Sequence, residues 1–237
     1  MNRGEVRVVL PVLGDFLDMD VDDPIVRLGQ DLKLEVVAEG VETAIKLIRK
    51  WGWKNKGIFT GYKILFATQI NEQLPDMWVI LDFAKFSDIA KWHAIQREYP
   101  GGLAPDGIAL GAPKTDAYAD LVWQGGIAKA DQSKSLYMII PYISLVASEK
   151  YADFVNKYVV PQLTGWVESG LMPSYAIYLN QNPTNAPWHS LLLLEYDGIR
   201  GIALRGSLKE KIRGKLANDP GYKQYSDIKS KRPTAPV

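Results

Sequence analysis

The strongest constraint on the fold is an internal similarity between two stretches of the chain. Gly52–Phe83 aligns with Gly165–Tyr196 at a constant offset of 113 positions (165 − 52), without a gap. A Gly-Trp pair opens both stretches, Tyr62 aligns with Tyr175, and an acidic residue followed by an aromatic residue closes both. This match predicts a tandem duplication, in which the same elements are built twice in the same order.

Periodicity predicts the elements of each half. Runs of β-branched and apolar residues bounded by Gly, Pro and Asn indicate strands, and apolar residues three or four positions apart indicate helices. The predicted strands are Glu5–Val12, Tyr62–Thr68, Met77–Phe83, Leu136–Ile143, Tyr175–Leu179 and His189–Tyr196. The predicted helices are Ile25–Trp51, Ser87–Glu98, Thr115–Trp123, Glu149–Trp166, Ile199–Leu216 and a short capped helix near the C-terminus. Because proline cannot donate to a ladder, the first strand of each half is expected to end or to lie at a sheet edge at Pro11 and Pro141.

Each half thus reads strand, helix, hairpin, helix, which is the ferredoxin-like order without its last strand. The run Leu191–Leu194 makes one sheet face apolar, and such a face must be covered. We therefore predict an α+β fold in which two ferredoxin-like β-α-β-β-α repeats pack their antiparallel sheets face to face as an α/β barrel. The first repeat spans residues 1–130, with an extra segment at about 15–40 and a linker at 100–130, and the second spans 131–237 with a C-terminal tail.

In this element order and duplication, the chain resembles the dimeric α/β-barrel superfamily in a tandem, single-chain form. The resemblance covers nearly the whole chain. It implies a ligand site in the cavity between sheet and helices of each repeat. Members of the superfamily include cofactor-independent monooxygenases, haem proteins related to chlorite dismutase, and proteins of unknown role.

A second resemblance is local. Ile25–Thr43, which contains LEVVAEGVET, together with Gly61-Tyr62, is similar to the late part of the EAL-type cyclic di-guanylate phosphodiesterases. Those enzymes are TIM barrels, and the likeness implies that Glu39 matches a catalytic glutamate. The EAL tripeptide and a DDFG-like metal motif do not occur, Thr60 stands where the family has glutamine, and only 24 residues precede Ile25. A complete phosphodiesterase is therefore excluded, and residues 25–62 are either an inserted fragment or a coincidental match.

Composition excludes several functional classes. With 28 basic and 27 acidic residues the net charge is +1, so no concentrated basic face for nucleic acid is expected. The apolar runs are far shorter than the roughly 20 residues that span a bilayer, and the absence of cysteine excludes disulfides and thiolate nucleophiles. The acidic loop Asp15–Asp23 lacks the glycine and the distal glutamate of a calcium loop, so no metal site is predicted. The first residues lack the long apolar segment of a signal peptide, which leaves localisation open between the cytoplasm and export with a leader already removed.

Three tyrosines are candidates for a ligand site. Tyr62 and Tyr175 occupy equivalent positions of the two halves, and in a cavity their hydroxyls could bond a ligand. Tyr178 aligns with Leu65, so it marks a difference between the halves. The alternative for each is a ring buried in the core with its hydroxyl satisfied by the protein.

The chain has two histidines, of which His189 is the other candidate. His189 opens a strand and could serve as a general base or a haem ligand, which makes it a weak catalytic candidate. The alternative is a partly buried, hydrogen-bonded structural histidine. His93 lies on a predicted helix, and Asp82 and Glu195 end strands where they are expected to cap the following helices.

These observations favour a soluble α/β-barrel protein that binds a small apolar or aromatic ligand in a cavity between its elements. A cofactor-independent monooxygenase or a haem-binding enzyme is the alternative, and a degenerate cyclic di-guanylate-related protein without phosphodiesterase activity is a weaker one. No residue pattern establishes an enzyme, and no cofactor is predicted. The expected partner is a small molecule, with no nucleic acid and no membrane, and the chain is expected to be a monomer or a homodimer.

Overall fold

The computed structural model describes residues 6–13, 56–66, 77–102, 112–113, 116–129, 135–144, 148–182 and 188–230. The chain divides into two compact units. Unit 1 comprises residues 1–120 and 181–186, and unit 2 comprises residues 121–180 and 187–237. The predicted helix Ile25–Trp51 and most of the segment similar to EAL-type enzymes lie outside the described residues, as does Glu39.

Unit 1 is an antiparallel sheet with a helix packed on one face. Its strands are β1 (Val6–Leu13), β2 (Gly61–Phe66), β3 (Met77–Phe83), β4 (Ala112–Pro113) and the first residues of β5 (Ala117–Gly126). A 3-10 turn, Phe86–Asp88, precedes helix α1 (Ile89–Glu98), and a second 3-10 turn is Pro100–Gly102. The strand order is β2-β3-β1-β5, and β4 pairs with the end of β1. This is the order of a ferredoxin-like unit that has all four of its strands.

Unit 2 repeats the order of three of these strands, with its fourth strand at the other edge and a longer helical layer. Its strands are the later part of β5, β6 (Leu136–Tyr142), β7 (Ser174–Asn180) and β8 (Ser190–Tyr196), in the order β5-β7-β8-β6. One helical run comprises α2 (Ser148–Phe154), a π-helical turn (Val155–Val159) and α3 (Val160–Glu168). Helices α4 (Gly198–Leu216) and α5 (Pro220–Ser230) follow β8. The fold is therefore mixed α+β with antiparallel strand pairing in both units.

The strands of the two units pair in the same register. Val6 of β1 lies opposite Phe83 of β3, and Leu136 of β6 lies opposite Tyr196 of β8. The β6 residues lie 130 positions after their equivalents in β1 (136 − 6), and the β8 residues lie 113 positions after their equivalents in β3 (196 − 83). Every later pair keeps both offsets. The hairpins match in the same way: Tyr62 lies opposite Leu81, and its equivalent in β7, Tyr175, lies opposite Leu194.

Both strand prolines lie inside their strands, because β1 continues to Leu13 and β6 to Tyr142. On the side of β1 away from β3, β5 pairs with Val6–Val9 and β4 pairs with Val12–Leu13. Pro11 falls between these two ladders, where no backbone donor is needed. Pro141 lies in β6, which is the terminal strand of the described sheet of unit 2. The prolines thus mark unpaired strand edges and do not end the strands.

The predicted helix Thr115–Trp123 is wrong, because this segment forms strand β5. Ala117 and Ala119 are buried and Asp120 is exposed, which is the period of a strand. Alanine, leucine and aspartate have no strong preference for a strand. Pairing with β1 overrides this local preference. The strand also completes unit 1, for which the sequence showed no final strand.

The other helix predictions that fall on described residues are confirmed with small shifts. The run predicted at Glu149–Trp166 is α2, the π-helical turn and α3, and the run predicted at Ile199–Leu216 is α4. The helix predicted to begin at Ser87 begins at Ile89, and Ser87 lies in the 3-10 turn before it. Asp219 does cap the C-terminal helix, because its Oδ1 accepts the Tyr222 backbone N–H at 2.7 Å.

Each unit has its own hydrophobic core between sheet and helices. The core of unit 1 contains Phe59, Val79, Leu81, Phe83, Ile89 and Trp92. The core of unit 2 contains Val155, Leu163, Trp166, Leu171, Met172, Tyr175, Ile177, Leu192, Leu194, Tyr196 and Ile212. Alternate residues of β8, namely Leu192, Leu194 and Tyr196, enter this core. Within the described ranges, no helix combines the length and apolarity needed to cross a bilayer.

Candidate functional site

The two equivalent tyrosines lie on the helix-facing side of their sheets but in different surroundings. Tyr175 is 5% exposed, and its hydroxyl lies 3.4 Å from Thr164 Oγ1. Its ring packs so closely on Gly125 that a Cβ there would lie 2.5 Å from Tyr175 Cε1. Tyr62 is half-buried and meets Phe59 edge to face at 6.1 Å between ring centroids. The Tyr175 ring is therefore part of the packed core, whereas Tyr62 lies at its margin.

Tyr178 and His189 lie elsewhere in unit 2. Tyr178 is fully buried on the sheet face opposite to Tyr175 and pairs with Leu191. His189 Nδ1 accepts the Ser144 backbone N–H at 3.0 Å. This bond holds the neutral ring with its proton on Nε2, so His189 must lose the bond before Nδ1 can act as a base. The four predicted residues thus occupy separate surroundings.

His189 also joins strand ends through its backbone. Its N–H donates to the Tyr142 carbonyl at 2.7 Å, and its carbonyl accepts the Asn180 N–H at 2.9 Å. The Asn180 side chain donates to the Trp188 carbonyl at 2.9 Å. These bonds extend the β6, β7 and β8 ladders beyond their strands, which is a positioning role.

A groove of about 540 Å³ lies between α3 and α4 of unit 2. Its lining residues are Val160, Pro161, Thr164, Gly165, Glu168, Ser169, Ile212, Lys215 and Leu216. The floor is apolar, and the exposed side chains of Thr164, Glu168 and Lys215 form the rim. Gly165 lets the helices approach, because a Cβ there would lie 2.8 Å from Ile212 Cγ2.

The groove does not fit a haem. Haem iron is held by an axial His, Cys, Met or Tyr, and none of these lines the groove. His189 is engaged with Ser144, and His93 lies on the exposed surface of α1 in unit 1. Among the residues that the structure describes, no three His, Asp or Glu side chains are grouped to hold a metal ion.

A second cluster joins α1 to the start of β5 in unit 1, and sequence reasoning missed two of its members. His93 Nε2 is hydrogen-bonded to the Tyr118 hydroxyl, and the rings meet edge to face at 5.5 Å. The Asp116 carboxylate accepts the Gln96 side-chain N–H at 2.5 Å and is also bonded by Tyr118. The cluster therefore runs from an exposed imidazole to a half-buried carboxylate.

Electrostatics in this cluster follow from burial. Burial raises the pKa of the Asp116 carboxyl, although the Gln96 bond, the His93 charge and the Tyr118 bond oppose the shift. Burial, together with the neighbouring Asp116 charge, raises the pKa of Tyr118 to about 12. Tyr118 therefore remains a phenol at neutral pH and can pass a hydrogen bond along the chain. Had this segment been recognised as a strand, the alternation of side chains would have placed Asp116 and Tyr118 on one face and indicated the cluster.

Glu195 is the centre of a third polar cluster, in unit 2. It is 1% exposed, and its carboxylate accepts the Ser135 hydroxyl at 2.8 Å and the Ser174 hydroxyl at 2.6 Å. The Lys129 backbone N–H lies 3.4 Å away. Burial, and then the charge of Glu195, raise the pKa of Tyr137. Glu195 thus fastens neighbouring segments to β8, and its expected role as a cap of the next helix is wrong.

Comparison with known proteins shows the fold class. No family model matches the chain, and no curated protein matches it. A candidate monooxygenase from Lactobacillus acidophilus NCFM is similar in structure, with a TM-score of 0.52 and 12% identity over 96% of this chain and 88% of that chain. An anthrone oxidase-like protein has a TM-score of 0.51 and 7% identity over 91% of this chain and 85% of that one. A chlorite dismutase variant from Candidatus Nitrospira defluvii has a TM-score of 0.50 and 8% identity over 94% and 86%.

These neighbours are ferredoxin-like proteins of the dimeric α/β-barrel type. The present chain shares with them a mixed α+β fold of antiparallel, ferredoxin-like strand arrangement. At these identities the similarity concerns the fold alone, so the function has to be argued from the sites of this chain.

Proposed function

We propose that the protein binds a small amphipathic molecule, with an apolar or aromatic body, in the groove between α3 and α4 of unit 2. The observation that carries this proposal is an apolar floor beneath a polar rim in a groove of about 540 Å³. Ligand sites of small molecules measure roughly 300–1,000 Å³ and combine apolar walls with few polar groups. Val160, Ile212 and Leu216 supply the apolar contacts.

The rim favours a ligand with one polar end. Lys215 offers a cation and Thr164 a hydroxyl, so an anionic or hydrogen-bonding head group is accommodated there. Glu168 places a carboxylate on the same rim and disfavours a second negative charge on the ligand. A singly charged aromatic anion therefore suits the groove better than a polyanion.

The test uses the fluorescent aromatic anion 1-anilinonaphthalene-8-sulfonate with the folded protein. The variant Lys215→Glu should weaken binding by roughly fivefold, since an exposed charge contact contributes on the order of 1 kcal/mol. Lys211→Glu is the matched control, because Lys211 is an exposed lysine of the same helix that does not line the groove. Thr164→Trp should abolish binding by filling the groove. Equal affinity in Thr164→Trp and the unmodified protein would exclude the groove as the site.

The enzymatic alternatives receive different support. Similarity in fold to a candidate monooxygenase and an anthrone oxidase-like protein supports a cofactor-independent monooxygenase as the second candidate. The haem-binding alternative is weaker, since the groove lacks an axial ligand. A relation to cyclic di-guanylate enzymes is supported only by residues 25–62, most of which lie outside the described residues.

We also propose that the two units descend from one duplicated repeat. The support is the identical register of β1–β3 and β6–β8, in addition to the aligned sequences. Face-to-face packing of the two sheets as a barrel, and a repeat boundary after residue 130, remain predictions of the sequence. Limited proteolysis that released a stable fragment beginning near residue 130 would support this boundary.

A further inference from the structure

We propose that His93, Tyr118 and Asp116 of unit 1 form an acid–base site that removes a proton from the weakly acidic hydroxyl of a small anionic ligand. The site is separate from the groove of unit 2 and does not depend on it. It rests on the hydrogen-bonded chain of the three side chains and on the charge beside it.

The direction of the hydrogen bonds follows from the donors available. An ionised carboxylate only accepts, so the single hydroxyl hydrogen of Tyr118 is donated to Asp116. His93 Nε2 must then donate its N–H to the Tyr118 oxygen. This tautomer leaves Nδ1 of His93 as an acceptor, and none of the described residues bonds it. The chain therefore presents a basic nitrogen on an exposed helix face.

The second observation is a cation next to this nitrogen. Arg97 follows His93 by four residues on α1, so the two side chains lie on one helix face, about 5–6 Å apart at their Cβ atoms. Arg97 is exposed and forms no ion pair with any described residue. A ligand whose carboxylate binds Arg97 can thus direct a hydroxyl about one helical turn away at His93. This geometry selects a small hydroxy acid with the two groups several ångströms apart.

The proton transfer is balanced within the cluster. The ligand O–H bond breaks and a bond from this hydrogen to His93 Nδ1 forms. The Nε2 proton moves to the Tyr118 oxygen as the Tyr118 proton moves to Asp116. The ligand gains a negative charge and Asp116 loses one. Asp116 suits this terminal role because it is half-buried, whereas an exposed carboxylate would hold the proton poorly at neutral pH.

The charged groups around His93 are few. On α1 they are Lys91, Arg97 and Glu98; Lys91 is paired with Asp88 at 2.9 Å, and Glu98 is hydrogen-bonded by Tyr99. On the strand side they are Asp116 and Asp120, and the Asp120 carboxylate accepts the Gln181 side-chain N–H at 2.8 Å. Asp116 is thus the carboxylate that contacts the relay, and its removal is the informative substitution.

The test follows ionisation of the chromophore 4-hydroxy-3-nitrobenzoate by the absorbance of its phenolate. On binding to the unmodified protein, its ionisation midpoint should fall by about one pH unit or more, which corresponds to a tenfold gain in the ionised form. His93→Gln should abolish the shift, Asp116→Asn should reduce it, and Arg97→Gln should weaken binding roughly fivefold. Asp88→Asn, at the start of the same helix, is the control and should leave the shift unchanged.

Tyr118→Phe separates a relay from a clamp. If the cluster only holds α1 to β5, this variant changes stability while the probe ionises as before, and the proposal is overturned. Failure of the probe to bind the unmodified protein overturns it as well.

Discussion

The contact between α3 and α4 makes opposite predictions for two glycines. Gly165 of α3 lies against Ile212, where an added Cβ would be 2.8 Å from Cγ2 and 3.2 Å from Cδ1. Gly206 lies within α4 with nothing inside 4 Å of an added Cβ. Both glycines are in helices, so replacement by alanine removes the same backbone penalty at both. Only Gly165→Ala adds an overlap.

The magnitudes separate the two variants. Replacing a helical glycine by alanine gains roughly 0.5–1 kcal/mol, so Gly206→Ala should be stabilising by that amount. Overpacking costs about 1–3 kcal/mol, and Ile212 is poorly able to yield because its χ1 is stiff. Gly165→Ala should therefore be less stable than Gly206→Ala by about 1–3 kcal/mol. For a chain of this size, each kcal/mol shifts Tm by roughly 2–4 °C.

Urea unfolding followed by circular dichroism measures the difference. A double-mutant cycle identifies its cause, because Ile212→Ala removes the atoms that the new Cβ would meet. In that background, Gly165→Ala should gain the helical propensity without the overlap and become stabilising. If Gly165→Ala and Gly206→Ala are equally stable in the presence of Ile212, then the close approach of α3 and α4 is refuted.

Two further predictions concern polar contacts. Glu195→Gln should destabilise unit 2 by about 1.5–3 kcal/mol, because the half-buried hydroxyl of Ser174 loses a charged acceptor; an unchanged urea midpoint would contradict this. The pKa of Asp153 lies below its ordinary value of 3.8, first because Lys157 and then Tyr225 donate to it. Its stabilising contribution is present above pH 3.8 and is lost as pH falls through the lowered value. The near-UV circular dichroism of the tyrosines should show an acid step that Asp153→Asn removes, and a step that persists would exclude Asp153 as its origin.

Strand positions were predictable because two copies of the pattern could be compared. Met77–Phe83 was predicted as a strand and is β3 with those bounds, and its aligned copy is β8. The two aligned stretches reinforce one another, since a chance pattern in one would not recur at the same offset.

The elements that were missed depend on long-range partners. Strand β5 has alanine and aspartate at its start, and its pairing with β1 and β7 makes it a strand. Because Asp116 and Tyr118 were assigned to a helix, their placement beside His93 could not be foreseen. The donors around Glu195 come from positions 129, 135 and 174, which no local pattern links.

The equal registers of the two units also bear on how the chain finds its native pairing. During folding, β6 could pair with β3, and β1 with β8, without any slip along the strands. Interchange of equivalent segments is a characteristic misfolding route of repeat proteins. The native pairs place Arg7 opposite Asp82 and Tyr137 opposite Glu195, whereas exchange would place Tyr137 opposite Asp82. Because the registers are equal, fidelity between these strands depends on the residues that differ at aligned positions, such as Arg7 and Tyr137, more than on strand length or alignment.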